Sequence, residues 1–144
     1  MYKDFYDTVI SRGFWHQSTN DIGIKELLSK KTTGYIGFDC TSDSLHVGSL
    51  LPLMLLRIFQ QCGHKPIILI GGGTTLIGDP SGKDETRKIL KKSDVERNKE
   101  GLKKIFRKFL SFDKKNTNYA ELVDNYAWLS KLELIPFLRD TGSK

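Results

Sequence analysis

Several common classes of protein are excluded by what this sequence lacks. Its two cysteines, Cys40 and Cys62, have no metal-ligand spacing and are too few for a disulfide scaffold. The longest wholly apolar run, Leu50 to Leu56, stops at Arg57 and is too short to cross a bilayer. Nothing resembling a secretory signal begins at Met1. We therefore expect a cytoplasmic protein with free thiols, without a metal site and without a membrane role.

The composition suits a soluble globular domain, with 38% hydrophobic and 28% charged residues. The net charge of +6 is local, because Lys83–Lys115 holds 13 Lys/Arg against 6 Asp/Glu and the remaining residues hold 10 against 11. A block of this kind attracts phosphate groups or nucleic acid, yet it is as often a solvated helix face. Composition alone leaves both interpretations open.

The first part of the chain predicts helices followed by a strand-helix-strand unit. Apolar residues at helical spacing predict two helices within residues 1–33, which form an amino-terminal helical segment. Gly34–Asp39 predicts a strand, and the polar side chains of residues 41–44 are predicted to cap the next helix. That helix is apolar nearly all round from Leu50 to Phe59, and Ile67–Ile70 lacks polar alternation, so both should be buried. The architecture is therefore α/β with parallel strands.

The second part predicts a long helix, a strand and a last helix. Ser93–Glu96 matches a capping box, and apolar residues continue at helical spacing to Phe109. Residues 119–123 predict a third strand. Leu134–Leu138 predicts a last helix, which tolerates Pro136 only in its first turn.

Two polar corners follow the first two strands, at the sheet edge where ligands of parallel sheets collect. They span Asp39–Ser49 and Gly71–Lys83. The second corner fails the common nucleotide motifs, since Gly78 lies one residue too near Gly82 for a P-loop and Leu76 occupies the last glycine position of a dinucleotide fingerprint. Alone, its glycines predict tight turns.

Together, however, the two corners resemble one known family. The first corner is similar to the first signature of class I aminoacyl-tRNA synthetases in its bacterial tyrosyl form, at Gly37, Phe38, Asp39, Thr41, Asp43, Ser44, Leu45, His46 and Gly48. The second corner is similar to a stretch special to that form, at Gly71, Gly72, Thr74 and residues 76–83. Residues 59–66, 125–129 and 137–140 agree as well. The resemblance implies that residues 34–144 are the first half of a Rossmann-like nucleotide-binding domain.

Three departures from the family pattern accompany this resemblance. Ser49 stands where the signature usually has a second histidine, and Cys40 stands where it has a proline. Gly73 and Thr75 replace the commoner alanine and glycine. Ser49 retains a hydrogen-bond donor for a ribose or phosphate oxygen but carries no charge.

The resemblance implies a tyrosine-tRNA ligase, which activates L-tyrosine with ATP and Mg²⁺ and transfers it to tRNA(Tyr). The catalytic residues that it implies, which hold the leaving pyrophosphate, are Thr41, His46, Lys83 and Arg87. The implied tyrosine-binding residues are Tyr35 and Asp79. The implied ATP-binding residues are Gly37, Asp39, Cys40, Gly48 and Ser49. The family also implies a homodimer.

Ordinary structural roles compete with these assignments. His46 and Thr41 near a helix start commonly cap it, Asp79 before Pro80 favours an Asp turn, and Lys83 with its neighbours forms a solvated basic face. The alternative functions are another class I nucleotidyl transferase, such as a tryptophanyl-tRNA synthetase or a cytidylyltransferase, and an RNA-binding module built on the basic block. The second family signature, Lys-Met-Ser-Lys-Ser, does not occur. We therefore expect a fragment that is marginally stable and inactive alone.

Overall fold

The computed structural model describes residues 4–78 and 90–142. It contains the predicted helices and strands in the predicted order, together with two short helices, Gly72–Ile77 and Tyr126–Leu129, that were not predicted from the sequence. The elements are α1 (Phe5–Ser11), α2 (Asp21–Leu28), β1 (Thr33–Asp39), α3 (Val47–Gln61), β2 (Lys65–Gly71), α4 (Gly72–Ile77), α5 (Lys92–Phe109), β3 (Glu121–Asp124), α6 (Tyr126–Leu129) and α7 (Leu134–Thr141). No helix among these described residues is long and apolar enough to span a membrane.

The strands form a parallel sheet in the order β1-β2-β3. Asp39 lies opposite Gly71, and Ile70 lies opposite Asp124, so the carboxyl ends of all three strands meet at one edge. This register confirms the predicted α/β class. It also brings the two polar corners together, because each corner follows a strand end on that edge.

The main core lies between the sheet and the helices α3 and α5. Leu53 of α3, Ile68 of β2 and Phe106 of α5 are fully buried there. The Phe38 and Phe106 rings have centroids 5.0 Å apart. A smaller cluster joins α1 to α3, where the Phe5 ring meets Phe59 edge-on at 5.0 Å.

The start and the surface of α3 differ from the sequence-based expectation. The helix begins at Val47 with His46 in the N-cap position, and the His46 side chain makes no capping hydrogen bond. The prediction that residues 41–44 cap α3 is therefore wrong. These residues form a loop instead, in which the Ser44 N–H donates to the Ser42 hydroxyl at 3.4 Å. The expected all-round burial is also wrong, because Leu51 is 62% exposed.

The predicted capping box and the predicted glycine turns also need correction. The helix α5 begins at Lys92, so Ser93 lies inside its first turn, and no described side chain caps its start. The glycines after β2 open the helix α4 directly, and α4 ends at Gly78 with a left-handed φ of 77°. That conformation favours glycine. The expectation for Pro136 is confirmed, since it is the third residue of α7.

Candidate active site

A cavity of about 390 Å³ opens at the β1–α3 corner. It is lined by Gly37, Phe38, Asp39, Thr41, Ser44, Leu45, His46, Gly48, Ser49 and Pro52. Six residues that the sequence assigns to ATP or to its pyrophosphate are among them: Gly37, Asp39, Thr41, His46, Gly48 and Ser49. The fold therefore brings most of the first signature to one concave surface.

The imidazole of His46 is held over the first turn of α3. Its Nε2 lies 3.2 Å from the hydroxyl of Ser49, and the Ser49 N–H donates to the His46 carbonyl at 3.0 Å. A Cβ at Gly48 would lie 2.8 Å from His46 Cε1, closer than real contacts allow. A side chain at position 48 would therefore force the exposed His46 ring to shift. Ser49, which replaces the usual histidine, orients an exposed imidazole that remains accessible to a ligand.

Cys40 does not line this cavity but anchors the backbone at the β1–α3 corner. Its side chain is fully buried, its N–H donates to Thr75 Oγ1 at 3.1 Å, and its carbonyl accepts from Asn98 Nδ2 at 2.9 Å. Burial, assisted by the charge of Asp124, raises the pKa of the Cys40 thiol to about 12. The thiol is therefore protonated at neutral pH, and Thr41 follows a backbone clamped by side chains from α4 and α5.

A second cavity of about 270 Å³ lies beside the first at the same sheet edge. It is lined by Gly37, Phe38, Asp39, Leu69, Gly71, Thr74 and Asn125. Because Gly37, Phe38 and Asp39 line both cavities, the end of β1 separates two adjoining spaces. One faces the His46 corner and the other faces the start of α4.

Asn125 is a site residue that the sequence analysis did not assign. It is 8% exposed, its Oδ1 accepts from the Gly73 N–H at 2.7 Å, and its Nδ2 donates to Thr74 Oγ1 at 3.3 Å. It thereby ties the strand end after β3 to the first turn of α4. Its position directly after a strand could have indicated a site residue. The sequence alone did not reveal it because β3 is predicted to end at residue 123 and because the order of the strands is known only from the fold.

Tyr35 lies on the exposed face of β1, two residues before Gly37. Successive side chains alternate across a strand, so Tyr35, Gly37 and Asp39 share one face while Phe38 points into the core. Tyr35 is 70% exposed and does not line either of the two cavities described above. The remaining predicted site residues, Asp79, Lys83 and Arg87, lie outside the described residues.

Comparison with known proteins identifies the family. The family described as "tRNA synthetases class I (W and Y)" matches residues 28–144. The chain belongs to this family. A tyrosine-tRNA ligase of Pelagibacter ubique (strain HTCC1062) is 52% identical over 141 residues, which are 97% of this chain and 33% of that protein. A tyrosine-tRNA ligase of Rickettsia felis is 50% identical over 141 residues, covering 96% of this chain and 34% of the relative.

A solved structure agrees with the family assignment. This chain superposes with a TM-score of 0.77 and 28% identity on a C-terminally truncated mitochondrial tyrosyl-tRNA synthetase of Aspergillus nidulans, over 99% of this chain and 43% of that one. The likeness supports the expected Rossmann-like fold. The chain spans about a third of the length of the curated relatives that it matches.

Proposed function

We propose that this chain carries the ATP-binding part of a tyrosine-tRNA ligase active site. In the proposed reaction the tyrosine carboxylate attacks the α-phosphate of ATP, which forms tyrosyl-adenylate and releases pyrophosphate before the tyrosyl group passes to tRNA(Tyr). The observation that carries the proposal is the end of β1, at Gly37–Asp39, which lines two adjoining cavities. The cavity lined by His46 would hold the nucleotide, and the cavity beside the start of α4, here called the amino-acid cavity, would hold the amino acid, with the reacting atoms between them.

On the nucleotide side, Thr41 and His46 would hydrogen-bond the departing pyrophosphate as its negative charge develops. Positioned donors are the main contribution to phosphoryl-group chemistry of this kind, which needs no covalent nucleophile. Gly48 and Ser49 would lie against the ribose, with the small residue allowing close approach. Lys83 and Arg87, four residues apart in the sequence, would add two cations for the β- and γ-phosphates.

On the amino-acid side, the exposed face of β1 would line the tyrosine site. Asp39 would face both substrates from the strand end, and Tyr35 would bring its hydroxyl near the phenol of the substrate. Asp79 would contribute a carboxylate to the substrate ammonium. When phenylalanine binds, the polar groups of the site that pair with the tyrosine hydroxyl would be left buried without a partner, so such contacts would favour tyrosine over phenylalanine.

Mg²⁺ would enter with ATP as part of the substrate. Among residues 4–78 and 90–142, no group of three or more His, Cys, Asp and Glu side chains could hold a metal ion. The phosphates and bound waters would supply most of its ligands. The cytoplasm as compartment and the homodimer expected from the family belong to the same proposal.

The alternative of an RNA-binding module is less well supported. Base stacking needs displayed aromatic rings among the basic residues. In α5, Phe106 is fully buried, and Phe109 packs against the same core. The identity of about half to relatives named for tyrosine favours tyrosine over tryptophan as the substrate.

The test is a chimera in which these 144 residues replace the matched third of the Pelagibacter relative. We expect tyrosine-dependent and not tryptophan-dependent exchange of pyrophosphate into ATP. His46→Ala should lower kcat by about 10²-fold, the typical loss on removing one transition-state donor, while the Kd for tyrosine stays nearly constant. That pattern would show that transition-state stabilisation was lost.

The matched control is His16→Ala, which removes an exposed histidine that does not line either cavity. It should leave the exchange rate unchanged. Lys83→Ala and Arg87→Ala should each slow exchange without lowering the melting temperature. Exchange that depends on tryptophan, or a His46→Ala chimera as fast as its parent, would refute the proposed function.

A further inference from the structure

We propose that Lys99 of α5 is a positioning residue for the amino-acid cavity, acting through Asp124 on the start of α4. This inference rests on the proposed function, because it assigns Lys99 a role in the same site. Lys99 does not line either cavity of the site. It lies behind the residues that do.

Lys99 is a largely buried cation with two carboxylate partners. Its Nζ lies 2.6 Å from Asp124 Oδ2 and 2.8 Å from Glu96 Oε1. The side chains of Lys99 and Asp124 are 10% and 20% exposed, whereas that of Glu96 is 51% exposed. Burial acts to lower the pKa of Lys99, but the hydrogen bonds to Asp124 and Glu96 outweigh it, so the pKa is raised and the ammonium stays charged. The inner pair thus links α5 to the end of β3.

Asp124 in turn contacts the start of α4. Its Oδ1 accepts from the Tyr126 N–H at 2.9 Å, and its carboxylate carbon would lie 3.0 Å from a Cβ added at Gly72. The helix therefore begins directly against the carboxylate, which explains why a glycine stands at position 72. The next residue, Asn125, accepts from the Gly73 N–H at 2.7 Å.

The ion pair of Lys99 and Asp124 affects the amino-acid cavity because the first turn of α4 forms one wall of that cavity. Gly71, Thr74 and Asn125 line the amino-acid cavity, and a Cβ at Gly71 would lie 3.0 Å from Asp39 Oδ1. A carboxylate that lost its buried partner would draw in water or move toward another donor. Either response shifts Asp124 against Gly72 and displaces this wall. The His46 corner is joined to α4 by the hydrogen bond between Cys40 and Thr75. Among the described residues, the Lys99 ammonium pairs with Asp124 and Glu96, neither of which belongs to that corner.

The chain offers a closely matched control on the same helix. Lys103 pairs with Glu100 at 2.6 Å with the same three-residue spacing, but its side chain is 33% exposed and that of Glu100 is 64% exposed. Lys103→Met therefore removes a comparable helical ion pair without touching β3. The test variants are Lys99→Met, Lys99→Arg and the double variant Lys99→Met with Asp124→Asn. The double variant removes both charges and keeps an oxygen acceptor for the Tyr126 N–H.

Hydrogen exchange of the 144-residue chain gives a readout that does not depend on activity. We expect Lys99→Met to raise deuterium uptake in residues 71–78 more than in residues 102–110, and Lys99→Arg to restore most of the protection. Lys103→Met should change neither segment. Equal loosening of both segments by Lys99→Met would mean a general loss of stability and would overturn the proposal.

The kinetic arm uses the chimera with the Pelagibacter relative. We expect Lys99→Met to raise the KM for tyrosine on the order of 10-fold and to leave the KM for ATP within about 2-fold, a split that a purely structural residue would not produce. If Lys99→Met fails to fold, Lys99→Gln takes its place, and an unchanged tyrosine KM there overturns the proposal. The double variant leaves no unpaired carboxylate at position 124, so it should restore the tyrosine KM toward the parent value, and a double variant as impaired as the single one also overturns the proposal. A chimera without tyrosine-dependent pyrophosphate exchange would refute the proposed function alone. Hydrogen exchange at residues 71–78 would still decide whether Lys99 positions α4.

Discussion

Replacing Thr75 by valine tests how the first signature is held in place. The Thr75 hydroxyl accepts the buried N–H of Cys40 at 3.1 Å, and Thr75 itself is 8% exposed. Valine has nearly the same shape but offers no acceptor, so the N–H of a fully buried residue would lose its partner. A buried donor left without a partner costs about 1–3 kcal/mol. That loss is a substantial part of a total stability of roughly 5–15 kcal/mol.

The expected shift in melting temperature follows from the size of the chain. For 144 residues, the unfolding entropy is about 0.3 kcal/mol per kelvin, so Thr75→Val should lower Tm by about 3–10 °C. Urea unfolding gives the free energy directly, and Thr75→Ser is the matched control because it keeps the hydroxyl and loses only the methyl group. A Thr75→Val chain as stable as the parent, with Thr75→Ser less stable, would show that the methyl group matters and the hydrogen bond does not.

Titration and thiol chemistry supply further expected outcomes. A thiol reagent at pH 8 should label Cys62, which is partly exposed, well before the buried Cys40. The unfolded thiol of Cys40 ionises near pH 9.0 and the folded one near 12, so stability should fall as pH rises above 9, by about 1 kcal/mol at pH 10. Cys40→Ala should abolish this component in urea titrations. Burial, partly opposed by the charge of Asp4, lowers the pKa of His64, whose ring stacks on Phe59 with centroids 4.6 Å apart. Stability should therefore fall as pH drops below 6.5. A His64→Gln variant without this loss of stability would confirm that His64 is its source.

The sequence-based predictions were most successful where local patterns match the final environment. The run Ile67–Ile70 lacks polar alternation, and it forms the central strand of the sheet. The capping box at Ser93–Glu96 failed because α5 begins at Lys92, which places the serine inside the helix. Capping depends on which residue leaves the helical conformation first, and a sequence pattern fixes that point only within one or two residues.

The burial of α3 shows a different limit. Its composition predicts burial on every side, yet the described structure buries Leu53 and Leu56 against the sheet and Ile58 and Phe59 against α1, while Leu50 and Leu51 remain exposed. Apolar composition measures the tendency to be covered, but the neighbouring elements decide which side is covered.

The sequence by itself determined the α/β class, the residues of the strands and the two polar corners, because hydrophobic periodicity and turn residues act over short stretches of chain. Only the tertiary structure decided how those corners meet. The register of three parallel strands brings Asp39, Gly71 and Asp124 to one edge, and residues far apart in the chain then complete the site. Asn125 and Lys99 acquire their roles from this juxtaposition, since each acts on α4 across a distance in sequence that no local pattern encodes.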